Sequence, residues 1–451
     1  MRGKAPLRVL AAAMLLLALP DRPGAAGAAD HLERVVILTR HGIRAAMSTP
    51  ADLGRWTAEP WPAFAVPPGH LTAHGFQAAA LFGGYYREHY RALGLLPAGD
   101  CAAARVHANL PQRTVETGRA LAEQLLPDCP ARVDTAMTRA DPLFDPVRAG
   151  ATRLDPDLAL AAVRGRIGDA TAWTAAHADT VEALQRLLLN CTPADCRDQV
   201  QPGGRLAGRR LLTDVPSALD RGQGDDWLAL QSPLATASGL TESLIMAYAD
   251  GAPLASLLGG RVNADALNRA GAAHAADLDA RLRTPYIARV GAGPLARHLA
   301  DLLAGDGPAV SVLVGHDGTI LLLAGLLRLD WVLPGYQPDQ VPPGSALVLE
   351  RWRRADGQTV IRARFTAQSL DQLRALTPLT EAQPPCRHRS SFPGAARRAR
   401  RWIVLWSASA ALWTTPRGPT EPPMKTGSGP AAPRSQFHQP QPLSCAPAGG
   451  T

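Results

Sequence analysis

The order of strand-like and helix-like segments constrains the fold of this 451-residue chain more than any other feature. The run Val-Val-Ile-Leu at residues 35–38 and the run Ala-Val-Ser-Val-Leu-Val within residues 308–315 are apolar and too short for independent helices. Both therefore predict buried strands. Residues 150–275, between them, show Ala- and Leu-rich helical patterns and no convincing strand. Strand–helix units on both sides of a helical block predict an α/β fold, with a sheet domain flanked by helices and an inserted α-helical domain.

Shorter patterns add further elements to this framework. Residues 72–93 predict a helix that Thr72 can cap, and residues 319–327 predict an apolar helix directly after the second buried strand. Two alternating segments around Asp356-Gly357 predict a β-hairpin. The remaining predicted segments are a strand at 104–108, a helix at 112–126, and the hairpin strands at 345–354 and 359–367.

These elements predict a chain of two domains, one of which is split in the sequence. The length is sufficient for a substantial core. The predicted segments are a signal peptide at 1–29, the first part of the α/β domain at 30–147, the α-helical insertion domain at 148–274, the second part of the α/β domain at 275–385, and an atypical basic tail at 386–451.

The first segment has the composition of an export signal. Arg2, Lys4 and Arg8 precede an apolar run at residues 9–19, which is too short to span a bilayer, and the small residues at 24–29 are typical of a cleavage site. We therefore expect a periplasmic or secreted protein. An N-terminal membrane anchor is the alternative interpretation.

Beyond Pro385 the composition changes again. The basic cluster at residues 397–401 is followed by an apolar stretch at 402–413, about half the length needed to span a bilayer, and then by a Pro-, Gly- and Ser-rich end. We expect a disordered or aberrant extension without stable membrane insertion. A juxtamembrane anchor is the alternative.

The distribution of charge argues against a nucleic-acid partner. The chain has a net charge of +8, but residues 386–451 alone carry +8 and residues 1–29 carry +3, which leaves residues 30–385 at −3. A slightly acidic body without a basic stripe lacks the electrostatic footprint of a DNA- or RNA-binding protein.

Six cysteines in a chain expected to be exported favour disulfides over metal binding. Local pairing is plausible for Cys101 with Cys129 and for Cys191 with Cys196. Cys386 and Cys445 remain on either side of the tail, and their pairing is open. No pair has the C-x-x-C spacing of a zinc site.

The two buried strand patterns end in residues that are typical of an anion-binding site. Arg40, His41 and Arg44 follow the first strand, whereas His316 and Asp317 follow the second, 275 residues after His41. Because the crevice of an α/β sheet lies beyond the carboxyl ends of its strands, we expect these segments to form one site. Guanidinium groups bind phosphate oxygens in bidentate fashion, and an imidazole can be the nucleophile in phosphoryl transfer. A carboxyl group such as Asp317 can protonate the leaving group, so the pattern indicates phosphate-ester hydrolysis.

The sequence resembles the histidine acid phosphatases, in the bacterial branch of phytases and glucose-1-phosphatases. Residues 40–44 (Arg-His-Gly-Ile-Arg) resemble the first family signature, and residues 315–317 (Gly-His-Asp) resemble the second. The resemblance extends over roughly residues 33–385 and implies a phosphoglycerate-mutase-like sheet domain. Connecting motifs occur in the expected order at residues 71–75, 112–118, 141–144, 240–242, 283–285 and 342–344.

The resemblance implies roles for individual side chains. It makes His41 the phosphorylated nucleophile and Asp317 the general acid. It also implies that both local cysteine pairs are family disulfides. The side chains that it assigns to the phosphoryl oxygens are Arg40, Arg44, Arg113 and His316. Because arginines can stabilise the charge on a transferring phosphoryl group, the motifs themselves predict no metal ion and no cofactor.

These observations predict an exported acid phosphatase, a monomer or dimer, that hydrolyses small-molecule phosphomonoesters through a phosphohistidine intermediate. Sugar phosphates are the expected substrates, and phytate is a further candidate. Met47, Gly318 and the absence of a second basic residue around residues 290–292 depart from the phytase pattern, so the sequence does not indicate a preference for phytate. An exported phosphate- or phosphosugar-binding protein without turnover is one alternative, and a phosphotransferase or mutase is another. A membrane- or nucleic-acid-associated protein is a third, which depends only on the tail.

Overall fold

The structure is a computed structural model and describes residues 29–224 and 226–390. Within these ranges the strands are β1 (His31–Arg40), β2 (Ala104–Ala108), β3 (Ala218–Arg221), β4 (Leu228–Gln231), β5 (Val310–Gly315), β6 (Ala346–Arg353), β7 (Thr359–Ala367) and β8 (Cys386–Ser390). The α-helices are α1 (Pro50–Gly54), α2 (Ala73–Ala92), α3 (Gln112–Leu125), α4 (Pro156–Ile167), α5 (Ala170–Ala175), α6 (Ala178–Leu189), α7 (Pro193–Gln199), α8 (Pro233–Ala249), α9 (Ala264–Leu282), α10 (Pro285–Ala304), α11 (Asp317–Leu327) and α12 (Leu370–Ala375).

A mixed sheet in the order β2-β5-β1-β6-β7-β8 organises the described residues. β1 and β5 pair in parallel, with Arg40 opposite Gly315, whereas β6 pairs antiparallel with β1 and forms a hairpin with β7. Because β1 and β5 are parallel and in this register, the residues that follow them leave the sheet side by side. The segments containing His41 and His316 are thus brought together by the sheet itself.

Both faces of β1 are buried, which explains its nearly continuous apolar sequence. Val35 and Ile37 point to a cluster that contains Phe82 of α2 and Leu121 of α3. Val36 and Leu38 point to the opposite cluster, which includes the buried apolar residues of α8, α10 and α11. Helices therefore cover the sheet on both sides, as predicted for this fold class.

The long predicted elements are confirmed at nearly the predicted positions. The helices predicted at 72–93 and 112–126 are α2 and α3, and the strand predicted at 104–108 is β2. The second buried strand, its following helix and the hairpin are also present as β5, α11, β6 and β7. Thr72 caps α2 through a bond from the Gly75 N–H to its hydroxyl oxygen.

The prediction that residues 150–275 contain no strand is wrong. β3 and β4 lie in this range and pair antiparallel, with Ala218 opposite Gln231. Each strand has four residues, and β4 alternates buried and exposed positions. Such short segments contain too few residues for their period to be distinguished from that of the surrounding helical patterns.

The body of the protein also extends past the predicted start of the tail. Cys386, assigned to the tail from sequence, is fully buried and begins β8, which pairs antiparallel with β7. The sequence of β8, Cys-Arg-His-Arg-Ser, has no apolar alternation, so its strand conformation depends on pairing with β7. The predictions for a signal peptide, for the tail after residue 390 and for the pairing of Cys386 with Cys445 concern segments outside the described residues.

Two disulfides are present in the described residues. Cys101 pairs with Cys129 and Cys191 pairs with Cys196, as the family resemblance implied. Among the helices of residues 29–224 and 226–390, none combines the length and the apolar composition that crossing a membrane requires.

Candidate active site

The predicted site lies at the carboxyl ends of β1 and β5. The His41 N–H donates to the Gly315 carbonyl at 2.9 Å, and the Gly344 N–H donates to the His41 carbonyl at 3.0 Å. The His41 and His316 rings are arranged edge to face, with centroids 5.5 Å apart and planes at 70°. The structure thus brings together two imidazoles that are far apart in sequence.

The His41 ring is held in one tautomer by its own backbone. Its Nδ1 lies 2.8 Å from the Gly42 carbonyl oxygen, which can only accept a hydrogen bond, so Nδ1 carries the proton and Nε2 keeps its lone pair. The side chain is buried. Burial, together with the positive charges of Arg40 and nearby cationic groups, lowers the pKa of His41 well below its usual value. The imidazole therefore stays neutral in mildly acidic solution.

Close packing fixes the loop that carries His41 and Arg44. The Gly42 N–H donates to Thr117 Oγ1 of α3 at 2.9 Å. A Cβ atom on Gly42 would lie 3.0 Å from the Gly75 carbonyl oxygen, and one on Gly75 would overlap the Ile43 carbonyl oxygen. The loop and α2 approach each other more closely than a side chain permits, which explains glycine at both positions.

Glu242 of α8 organises the two arginines of the first motif. Arg40 is buried, donates from Nη1 to the Val341 carbonyl at 2.5 Å, and pairs through Nη2 with Glu242 Oε1. Arg44 Nη2 lies 3.4 Å from the same carboxylate oxygen. Burial would raise the pKa of Glu242, but the charges of Arg40, His274 and Arg44 outweigh it and lower that pKa. Glu242 is thus a buried anion between two cations.

Arg113, in the first turn of α3, completes the group of cationic residues. It is half-buried, and its Nη1 lies 3.4 Å from the Gly69 carbonyl oxygen. Burial and the charge of Arg44 lower the pKa of Arg113 to about 10, so the guanidinium remains charged in acidic and neutral solution.

Asp317 begins α11 and faces Arg40, with Oδ2 at 3.1 Å from Nη2. Its side chain is 23% exposed. Burial alone would raise the pKa of Asp317, but Arg40 and His274 outweigh this effect and hold it well below its usual value. In the site as it stands, Asp317 is therefore a carboxylate.

His274 of α9 belongs to the same site, although no sequence signal marked it. Its Nδ1 lies 3.0 Å from Ser238 Oγ, and its Nε2 lies 3.5 Å from Glu242 Oε2 and 3.7 Å from Asp317 Oδ2. Burial opposes protonation, but the contact with Asp317 and the charge of Glu242 raise the pKa of His274 above its usual value. An isolated histidine in an alanine-rich helix gives no sequence pattern by which such a role could be found.

The atoms of Glu242, His274 and Asp317 also have the spacing of a metal site. Among the described residues these three side chains offer ligand atoms within 4.8 Å of one another. However, the Arg40 guanidinium already pairs with both carboxylates. The chemistry of the cluster therefore fits a group of side chains that positions an arginine better than a cation-binding centre.

His316 has neighbours that the sequence analysis did not assign. Its Nε2 lies 3.0 Å from Asn109 Nδ2, which also donates to Asp145 Oδ2 at 3.0 Å. Burial and the charge of Arg113 lower the pKa of His316 to about 4. All six predicted side chains therefore lie around one site, together with Glu242, His274 and Asn109.

The comparison with known families completes this picture. The model of the histidine phosphatase superfamily (branch 2) matches residues 31–366, which include both strand ends and every side chain described above. This chain belongs to the histidine phosphatase superfamily. The family predicted from the two signatures and their connecting motifs is confirmed.

Sequence relatives of this histidine phosphatase cover about 85% of its length. It is 32% identical to phytase AppA of Escherichia coli (strain K12) over 412 residues, which is 85% of this chain and 92% of that protein. It is 27% identical to the glucose-1-phosphatase of Salmonella typhimurium over 399 residues, covering 84% of this chain and 92% of that protein.

Solved structures of bacterial phytases share the fold of this histidine phosphatase. The Hafnia alvei phytase superimposes with a TM-score of 0.75 at 30% identity, covering 87% of this chain and 98% of that one. The Klebsiella sp. ASR1 phytase superimposes with a TM-score of 0.72 at 30% identity, covering 81% and 89% of the two chains. The predicted fold class is confirmed by these similarities together with the sheet and its flanking helices.

Proposed function

We propose that this chain is an exported acid phosphatase that hydrolyses phosphomonoesters through a phosphohistidine formed on His41. The observation that carries the proposal is the buried neutral imidazole of His41, whose Nε2 keeps its lone pair while arginine side chains surround it. A nucleophile that remains unprotonated in acid, among fixed cations, is suited to attack a phosphoryl group.

In the proposed first step, His41 Nε2 attacks phosphorus, the N–P bond forms and the bond to the ester oxygen breaks. Asp317 gives a proton to the departing alkoxide. In the second step water attacks the phosphohistidine, Asp317 accepts a proton from that water, and inorganic phosphate leaves. Charge on the transferring group is stabilised by Arg40, Arg44 and Arg113 together with His316.

The low pKa of Asp317 explains how acid pH enters the reaction. Since Asp317 is ionised in the free site, its proton has to arrive with the substrate. Phosphate monoesters have a second pKa of about 6, so in mild acid most of the substrate is a monoanion that carries one proton. We propose that this proton passes to Asp317 as the dianionic phosphoryl group settles among the arginines.

For the substrate, we propose sugar phosphates and similar monophosphates, with phytate as the test case. Relatives are named as phytases and as glucose-1-phosphatases, and the Hafnia alvei phytase was solved with myo-inositol hexakis sulphate. In this chain a Cβ atom on buried Gly291 would overlap the Trp227 ring, so no basic side chain fits at that position. Met47, which is 57% exposed, likewise carries no charge.

Export is supported by the two disulfides, because such bonds form and persist outside reducing compartments. We propose a periplasmic or secreted location on this basis and on that of the predicted leader. The oligomeric state, monomer or dimer, remains a prediction.

The proposal is tested by initial rates at about pH 5 on glucose 1-phosphate, phytate and p-nitrophenyl phosphate, each with and without EDTA. We expect turnover that survives EDTA. His41→Ala should retain less than about a hundredth of the wild-type rate and should trap no acid-labile phosphate, because no other side chain of the described site is placed to hold the phosphoryl group.

His177→Ala is the matched control, since this imidazole bonds to the Trp173 carbonyl on α5, an element outside the site. It should keep both rate and phosphoenzyme. Binding of inorganic phosphate without turnover of any ester would favour the binding-protein alternative. Transfer to an added alcohol in preference to water would favour the phosphotransferase. A strict requirement for added zinc or magnesium would contradict the metal-independent mechanism.

A further inference from the structure

We propose that Asn109 is a positioning residue that locks His316 in the neutral tautomer with its proton on Nδ1, and that Asp145 holds Asn109 in place. The role of this tautomer in phosphate binding rests on the proposed function. The tautomer itself is inferred from hydrogen bonds alone and does not depend on that function.

The Asn109 side chain is buried and makes three hydrogen bonds. Its Oδ1 accepts from the Leu110 N–H at 2.8 Å. Its Nδ2 lies 3.0 Å from Asp145 Oδ2 and 3.0 Å from His316 Nε2. Both amide protons and the amide oxygen are thus engaged.

Two of these partners fix the direction in which the amide points. Rotating the amide by 180° would turn its NH2 group towards the Leu110 N–H, placing two donors face to face. The same rotation would turn its oxygen towards the Asp145 carboxylate, placing two acceptors face to face. Nδ2 therefore faces His316, and since an amide nitrogen only donates, His316 Nε2 accepts.

The tautomer of His316 follows from this bond. A neutral imidazole carries one proton, and with Nε2 accepting, that proton is on Nδ1. A protonated imidazole would place an N–H against the amide N–H, which disfavours the cation. His316 therefore serves as a fixed single donor, and the charge on the substrate is met by the arginines.

The surrounding charges act in the same direction. Burial and the charges around the ring together lower the pKa of His316 to about 4. Asp145 is half-buried, and burial raises its pKa, although the bond from Asn109 opposes this. The charged and titratable groups around the pair are Arg40, His41, Arg44, Arg113, Asp141, Arg148 and Asp317.

The test exchanges the two partners in the double variant Asn109→Asp/Asp145→Asn. All three bonds can persist. The Leu110 N–H still donates to the side chain at position 109, whereas the other two bonds reverse direction, because Asp at position 109 accepts from Asn at position 145 and from His316 Nε2–H. The swap also avoids the two facing carboxylates that the single variant Asn109→Asp would create. The swap leaves the net charge unchanged. Asn263→Asp is the control for an Asn-to-Asp replacement outside the site, since position 263 is the N-cap of α9, where Asp and Asn serve equally well.

The first readout is the nitrogen NMR spectrum of the full-length protein with 15N-labelled histidine, assigned by comparison with His316→Asn. In the wild type and in Asn263→Asp we expect Nε2 of His316 to resonate as an unprotonated nitrogen and Nδ1 as an N–H. In the swap we expect Nε2 to become an N–H. A protonated Nε2 in the wild type, or the same tautomer in the wild type and the swap, would overturn the proposal.

The second readout is the inhibition constant of inorganic phosphate between pH 4.5 and 7. We expect the swap to raise the pKa of His316, because the carboxylate at position 109 accepts from Nε2–H and favours the charged ring. At the acid end of this range, His316 of the swap should be a cation whose Nδ1 still carries a proton. The swap should therefore bind phosphate there as tightly as the wild type does. Above that pKa Nδ1 loses its proton and becomes an acceptor, and phosphate binding should weaken by about tenfold or more relative to the wild type. A ratio that does not change with pH contradicts the role in phosphate binding. If the wild-type protein showed the expected tautomer but no turnover, the proposed function would be contradicted and the proposed tautomer of His316 would still hold.

Discussion

At the scale of single residues, the site contains two carboxylates that both touch Arg40 and yet are expected to differ in function. Asp317 is partly exposed and lies at the start of α11, whereas Glu242 is buried between Arg40 and Arg44. A group that protonates the leaving alkoxide has to reach the substrate. A group enclosed by two arginines acts by holding them.

This difference predicts a leaving-group signature for Asp317→Asn. The rate on glucose 1-phosphate should fall by about a hundredfold or more, because an alkoxide departs poorly without a proton. The rate on p-nitrophenyl phosphate should fall by less than about tenfold, since p-nitrophenolate is a good leaving group. The measurement is kcat for both substrates at pH 5.

Glu242→Gln provides the comparison. Because Glu242 pairs with the two arginines that we propose bind the phosphoryl group of every substrate, both rates should fall by the same factor. Equal losses in Asp317→Asn would show instead that Asp317 maintains the pocket, and a selective loss in Glu242→Gln would identify Glu242 as the acid.

Site residues that belong to a recognisable sequence motif could be predicted from the sequence. Those that belong to the site only through contacts with distant residues could not. His41 and Asp317 follow recognisable strands, so their placement could be predicted from the sheet alone. His274 lies 3.7 Å from Asp317, and Asn109 is hydrogen-bonded to His316, residues that lie more than forty and two hundred positions away, respectively. No local pattern encodes such a contact.

At the scale of elements, α2 has a direct effect on the site through Gly75. A methyl group at this position would overlap the Ile43 carbonyl, which lies between His41 and Arg44 in the sequence. We predict that Gly75→Ala lowers the free energy of unfolding by roughly 1–3 kcal/mol, as expected for overpacking. Because a shift of about 1 Å can reduce catalysis roughly a hundredfold, kcat/KM should fall as well.

Gly84→Ala on the same helix is the matched control, because a Cβ atom at position 84 would meet no neighbouring element of the described protein within 4 Å. It should stabilise the protein by about 0.4–1 kcal/mol through the lower flexibility of the unfolded chain. Urea denaturation and initial rates of both variants test the pair. A Gly75→Ala protein with wild-type activity and stability would contradict the close approach.

Elements were predictable in proportion to their length and periodicity. α2, α3 and β5 each have a clear pattern, and their observed bounds lie within about two residues of the predicted ones. β3, β4 and β8 have four or five residues, and β8 carries basic residues at a sheet edge. Pairing with a neighbouring strand determines such segments, so their own sequences do not reveal them.

At the scale of the whole molecule, the site concentrates positive charge inside a body whose net charge is slightly negative. Beyond the effect of burial, Arg40, Arg44 and Arg113 lie close enough to His41 for their charges, together with that of His316, to lower its pKa. Glu242 and Asp317 offset part of this charge by direct ion pairs with Arg40. An anion such as phosphate should therefore stabilise the folded protein, by about 2.7 kcal/mol at a hundred times its dissociation constant.

The same site predicts how stability depends on pH. Folding lowers the pKa of His41 and of His316. Below about pH 6.5, these two imidazoles are therefore protonated in the unfolded chain but remain neutral in the folded protein. Stability contributed by these groups is fully present above their unfolded pKa and is lost as the pH falls. His274, whose pKa is raised, is protonated in both states below that pH and adds no slope. The free energy of unfolding should fall by about 1–3 kcal/mol per unit between pH 6 and 5.

Urea denaturation at pH 6.0, 5.5 and 5.0 measures this slope, and two comparisons connect it to the site. Folding also lowers the pKa of His298 on α10, outside the site, so His316→Asn removes one of three such histidines and should reduce the slope by about a third. Saturating phosphate should reduce it in the wild type, because a bound anion favours the charged imidazole that the arginines otherwise oppose. If neither His316→Asn nor saturating phosphate changed the slope, the pH dependence of stability would arise elsewhere in the molecule. The charges around His41 would then not be what lowers the pKa of His41 and His316.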